Sequence, residues 1–266
     1  MGRKLKPYPI PKKWIMSIEG GEKLIVRESG NFYIFIRQHD HGLLSGEIAA
    51  NWGNDPFQPP EHKLVLAASL HDVSWIEADA RLPWNEEQNL PFDFTSYPLH
   101  KRLDMYEKGL NTTERLNPYG GLLTSMHYCS FFKQEEAEGI RRFLQHESAR
   151  QDRLKQRFFG EPVETDLRLL QLWDNLSLYI CLNRPGATKK EEHPWFKNGI
   201  KAAAKTGEAV TMQLRWLNER TVTVEPFPFR RSWSTRLPYS KARKSLGKKD
   251  PDIGKICYQH IRFIRA

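Results

Sequence analysis

Hydrophobic and polar positions follow two different periods along the chain. Lys23-Leu24-Ile25-Val26-Arg27 and Phe32-Tyr33-Ile34-Phe35-Ile36 are short runs rich in β-branched and aromatic residues, and Glu28-Ser29-Gly30-Asn31 links them. That composition predicts a β-hairpin. From Asp40 the period lengthens: Leu44, Ile48 and Trp52 recur as one helical face, and Gly53-Asn54-Asp55-Pro56 ends it. A second helix is predicted over residues 61–72, where an apolar run finishes in His71-Asp72. Residues 119–132 predict a third. Residues 134–157 predict a long, charged helix whose apolar positions include Ile140, Phe143, Leu144 and Leu154. Residues 166–182 are apolar nearly all round, which places that helix in the core.

Residues 73–118 show little periodicity. Trp75, Trp84, Phe92, Phe94 and Tyr97 are interrupted by Pro83, Pro91 and Pro98. A stretch this long without regular structure predicts a functional loop or lid, with short helical turns around residues 99–109. After Asn183-Arg184-Pro185-Gly186, strand-like patterns return at 209–216, 221–224 and 259–264. The expected fold class is mainly α: a helical core with a small antiparallel β-sheet formed by the N- and C-terminal segments. The expected organisation is a flexible lead-in over 1–22, a helical domain with an N-terminal hairpin over 23–200, and a β-rich extension over 201–266 that packs on the first strands.

Composition narrows the class. Of 266 residues, 39% are hydrophobic and 27% charged, the balance of a soluble globular chain. No apolar run approaches the ~20 residues that span a bilayer, so no membrane partner is expected. The basic start from Met1 to Lys13 lacks the apolar stretch of a secretory signal. Cys129, Cys181 and Cys257 form neither a metal finger nor a disulfide framework, so a reducing, cytoplasmic location is expected. The net charge of +9 is uneven: the run that begins at Arg230 and ends at Lys249 carries eight basic residues and no acidic one. It reads first as a solvated loop and second as a landing site for nucleic acid. No glycine-rich dinucleotide or phosphate-binding loop is present.

Candidate chemistry comes from five residues. Asp174 lies at the centre of the apolar helix, where a carboxylate needs a partner or a cation. His71 and Asp72 are adjacent at a helix end. His127 sits in the middle of the third helix. His41 heads the apolar face of the first helix and is preferred over His39. Each has a bland reading as a core histidine or an ion-paired acid. Together, three imidazoles and two carboxylates on apolar helices make a mixed N/O set suited to one or two divalent ions of Mn, Fe, Mg or Zn.

The order His41, His71-Asp72, Asp174 resembles the HD superfamily of metal-dependent phosphohydrolases. The surrounding residues Gln38-x-x-His41-Gly42, His71-Asp72-x-x-Trp75-x-x-x-Asp79 and Leu122-Leu123-x-Ser125-x-His127 resemble an uncharacterised bacterial HD-like family of unknown function over residues 24–230. Val73 and Ser74 depart from the acidic or small residue and glycine expected before the tryptophan. The resemblance implies His41, His71, Asp72 and Asp174 as metal ligands, with His127 completing a second position. It also implies metal-assisted hydrolysis of a phosphate ester or nucleotide-like substrate. Asp72 and Asp79 are the candidate catalytic carboxylates, Asp79 reading as a base, as an acceptor behind the ligands or equally as the cap of a turn. Arg81, Lys101 and Arg102 are candidates to meet a small anionic substrate. A di-iron oxygenase and a non-catalytic metal- or nucleic-acid-binding module are the alternatives.

Overall fold

The computed structural model describes residues 25–80, 84–87, 90–132, 137–204, 206–244 and 254–266. The lead-in over 1–22, Lys23 and Leu24 of the first run, Arg81, Pro83, the helix start expected at Gln134, and Lys248 and Lys249 of the basic run lie outside the described residues.

Strands β1 (Ile25–Ser29) and β2 (Phe32–Ile36) form the expected antiparallel hairpin. Helices α1 (Gln38–Asn51) and α2 (His62–Leu70) follow. A 3-10 turn at Val73–Trp75 and one helical turn at Ile76–Asp79 lead into a two-stranded ribbon, β3 (Trp84–Asn85) and β4 (Leu90–Pro91). Then come α3 (Leu99–Leu116), α4 (Pro118–Ser130), α5 (Glu138–Arg157) and α6 (Val163–Leu182). The chain ends in β5 (Ile200–Ala203), β6 (Ala209–Asn218), β7 (Thr221–Glu225), β8 (Trp233–Arg243) and β9 (Cys257–Arg265).

The mainly helical expectation with a small antiparallel sheet is overturned. The described residues form an α/β half-barrel, 47% helix and 24% strand, around a curled, mixed seven-stranded sheet. Its order is β1-β2-β8-β9-β7-β6-β5. The pair β7–β9 is parallel, so the sheet is not purely antiparallel. The largest misreading is the basic run, because most of it is β8, an eleven-residue strand between β2 and β9 rather than a loop. Lysine, arginine and serine mask its alternation, and a proline such as Pro238 is uncommon inside an interior strand. The proline is accommodated because β2 registers with β8 only from Ser240 onward, so Pro238 faces a partner strand on the β9 side alone.

The second misreading is α3. Leu99, Leu103, Tyr106 and Leu110 follow a helical period, and Met105, Tyr106, Gly109 and Leu110 are buried. An eighteen-residue helix therefore stands where a lid was expected. Among the described residues of that stretch, 84–87 and 90–98 lie outside any helix.

Two apolar clusters fix the layers. In the larger, α1, α2 and α6 pack on the inner sheet face, where Leu214, Val222, Val224, Leu237, Ile261 and Phe263 are buried. Trp52 seals it, with ring centroids 5.9 Å from Trp173 and 6.0 Å from Phe229. In the smaller, Trp75, Tyr106, Tyr128, Phe132 and Phe143 join α3, α4 and α5, and Tyr106 stacks on Tyr128 at 3.9 Å. Among the described residues, no helix is long and apolar enough to cross a membrane.

Candidate metal centre

Small residues bring the first two helices together. A β-carbon at Gly46 would lie 1.8 Å from Ser69 Oγ and 2.8 Å from Ser69 Cβ, so α1 crosses α2 with no room for a side chain there. Gly42 opens the same seam one turn earlier, against Ser69 and Asp72. This crossing sets His41 against His71 and Asp72. Asp79 fixes the start of α1 from across the chain. Its two carboxylate oxygens accept the backbone N–H groups of Gln38 and His39, each at 2.9 Å, two donors that the first turn of a helix leaves unpaired. The remaining side chains come from α4, which carries His127, and α6, which carries Asp174.

All five predicted residues converge and are buried. Asp174 Oδ1 lies 2.9 Å from His41 Nε2 and 3.5 Å from His71 Nε2, and Asp174 Oδ2 lies 3.4 Å from His127 Nε2. Asp72 Oδ2 lies 3.6 Å from the Nε2 atoms of both His41 and His71. Two overlapping groups can hold a metal ion, His41 with His71 and Asp72, and His71 with His127 and Asp174. The ligand atoms of each lie within 4.8 Å of one another.

Hydrogen bonds behind the rings decide which nitrogen faces inward. His71 Nδ1 lies 2.8 Å from the Ala68 carbonyl, which only accepts, so Nδ1 carries a hydrogen. Its Nε2 is buried without a hydrogen-bond partner among the described residues. Ser177 Oγ donates to the Asp174 carbonyl at 2.8 Å and so accepts from His41 Nδ1 at 2.7 Å. In its neutral form each of these imidazoles turns an Nε2 lone pair toward carboxylate oxygens. Lone pairs facing lone pairs need a positive charge between them, a proton or a metal ion. Backbone and hydroxyl acceptors behind the ring are how metal-ligating histidines are oriented. The donor set and the orphaned His71 nitrogen therefore fit a divalent ion.

The electrostatics agree. Burial opposes charge on His71, but the adjacent Asp72 and Asp174 carboxylates outweigh it and lift the pKa to about 9. Burial also pushes against ionisation of Asp174, yet the His41, His71 and His127 imidazoles around it hold it well below the usual carboxylate range. Burial raises Asp72 despite the neighbouring imidazoles. His127 is driven down to about 4, mainly by burial, which keeps its ring neutral and able to ligate.

Sequence reasoning missed three supports. Tyr128 Oη donates to the His71 carbonyl at 2.6 Å and stands 3.3 Å from Asp72 Oδ1. Ser177 and the Ala68 carbonyl orient two imidazoles. One signal was available: Ser177 lies one helical turn beyond Asp174, on the same face. Asp79 faces the end of α1 rather than the cluster. His39 joins neither candidate metal group. Lys101 is exposed, whereas Arg102 lines a cavity over the cluster. Several cations of the basic run are engaged within the chain. Lys244 pairs with Glu28 at 2.6 Å, Arg236 lies over the Tyr258 ring, and Arg230 donates to the Ala50 carbonyl.

Comparison with known proteins yields one family. A model described as a protein of unknown function, DUF3891, matches residues 24–244. No curated protein and no solved structure matches the chain.

Proposed function

The chain belongs to the DUF3891 family, and for this member we propose a metal-dependent hydrolase that acts on a phosphate ester. One observation carries the reading: the Nε2 atoms of His41, His71 and His127 all lie within 3.5 Å of the Asp174 carboxylate. His41, His71, Asp72 and Asp174 would hold one divalent ion, and His127 would complete a second position. When bound, the ion would lower the pKa of a water and polarise a phosphoryl oxygen. The protein side chains do the rest. Ser177 and the Ala68 carbonyl hold the rings in register, Tyr128 ties down the His71 carbonyl beside Asp72, and Asp79 anchors the helix that presents His41. The resemblance of the His, His-Asp, Asp order to HD phosphohydrolases supports the same chemistry.

His127 favours a second reading. A third imidazole suits a two-iron centre that activates oxygen as well as it suits hydrolysis. Elemental analysis of untagged protein purified without chelator, beside His71→Ala, tests both. One or two equivalents of metal, lost in the variant, with hydrolysis of p-nitrophenyl phosphate, is the expected result. Two equivalents of iron with oxygen uptake would favour the second reading. Protein that takes up no metal when offered Mn, Fe, Mg or Zn would overturn both and leave a binding role.

A further inference from the structure

The cavity above the centre is about 490 Å³, and its walls carry more than metal ligands. Six aromatic rings line it, among them Phe94, Phe131, Phe132 and Trp195. Phe131 and Trp195 are 51% and 54% exposed at its rim. Rings left in water beside a cavity gain when a flat apolar molecule covers them. Phe131 also meets a predicted ligand, its ring centroid 4.7 Å from that of His127, and Trp195 meets Phe94 edge to face at 6.2 Å.

Among the described residues, Arg102 is the single Lys or Arg that lines this cavity. Its guanidinium carbon lies 5.7 Å from the Phe132 centroid, and its Nη1 donates to the Phe94 carbonyl at 3.3 Å. Its Nε is buried with no partner among the described residues. A buried guanidinium donor with no acceptor is costly unless an anion supplies one.

We propose that Arg102 is the residue that recognises the substrate's charge, and that the substrate is a small oxyanion on a flat, apolar body. Trp195 and Phe131 receive the body, and the Arg102 fork receives the anion. This deepens the hydrolase reading and rests on it for one point, that the anion is a phosphate monoester; a carboxylate would offer the same fork its two oxygens.

Isothermal calorimetry on the full chain tests this with phenyl phosphate, benzoate, inorganic phosphate and phenol at millimolar concentration. Phenyl phosphate should bind more tightly than inorganic phosphate or phenol. Arg102→Gln should weaken it about 10- to 100-fold and leave phenol unchanged, with metal content unaltered. Arg102→Lys should recover part of the loss, and it serves if the glutamine variant fails to fold. Trp195→Ala should weaken phenyl phosphate but not inorganic phosphate. Equal binding of phenyl phosphate by wild type and Arg102→Gln, or binding of neither phenyl phosphate nor benzoate by wild type, would overturn the proposal. Benzoate binding that depends on Arg102, without phenyl phosphate binding, would overturn the phosphate and retain the fork. The His71→Ala protein separates the two readings. Arg102-dependent binding that survives there stands without the metal centre, and a metal centre with Arg102-independent binding stands without this proposal.

Discussion

Ser177 Oγ lies 2.7 Å from His41 Nδ1 and spends its own hydrogen on the Asp174 carbonyl. One hydroxyl thereby fixes the tautomer of His41 and ties it to the helix that carries Asp174. Ser177→Ala removes the acceptor and frees the ring to turn or change tautomer. The expected outcome is a folded protein with about 10- to 100-fold weaker Mn or Zn affinity, read by calorimetric titration. Unchanged affinity would show that His41 needs no such support or is not a ligand.

His71 links metal uptake to pH. A divalent ion has to displace the proton that Asp72 and Asp174 hold on this ring, whose pKa is about 9. Apparent affinity should therefore rise with pH by up to about one decade per unit and flatten above that pKa. Without metal the sign reverses. A histidine pKa raised by folding stabilises the fold below the ordinary imidazole value, and that contribution is lost as pH rises through about 9. Titration in two buffers of different ionisation enthalpy reads the released proton, and an uptake independent of pH would contradict the assignment.

Asp79 separates a structural carboxylate from a catalytic one. Removing it in Asp79→Ala uncaps Gln38 and His39 at the start of α1, a loss of about 1–2 kcal/mol in a denaturant titration. Metal affinity should fall with it, because α1 presents His41. A variant with unchanged stability and metal content but no turnover would make Asp79 a base instead.

The α1–α2 crossing gives opposite outcomes at two glycines. Alanine usually stabilises a helix interior relative to glycine, and Gly42 has ordinary contact distances for the added carbon, the nearest atom being 3.5 Å away. Gly42→Ala should be neutral or mildly stabilising. Gly46→Ala drives the carbon into Ser69 and should lose about 1–3 kcal/mol while prising His41 away from His71. Thermal melts of the two variants make the comparison, and equal effects would mean the helices slide freely.

The five residues of the centre were legible because each breaks its local pattern: a charged or polar group on an otherwise apolar helix. Asp174 is the plainest case, since its helix offers it no solvent. The sheet was harder to see. Inner-face residues of β7 and β9, such as Val222, Val224, Ile261 and Phe263, announce strands, but Arg236, Lys241 and Arg243 of β8 carry the signature of a solvated loop. What makes β8 a strand is its neighbours on both sides, and those lie far away in sequence. Asp79 carries two readings for a similar reason. A carboxylate near a ligand motif suggests chemistry, whereas here the unpaired N–H groups of a helix start at Gln38 claim it.

The pairing of Phe35 with Ser240 joins two parts of the chain separated by about two hundred residues, a closure that contact-order arguments make slow. Every predicted ligand is translated before β8 exists, yet α1, which carries the first of them, is tied to that late segment by Thr235 on Glu47 and by Arg230 on the Ala50 carbonyl. During synthesis the nascent chain would expose a complete set of metal-binding side chains without the wall that holds them in place. A fragment ending before β8 would keep the candidate ligands while losing the strand that helps hold α1 in place.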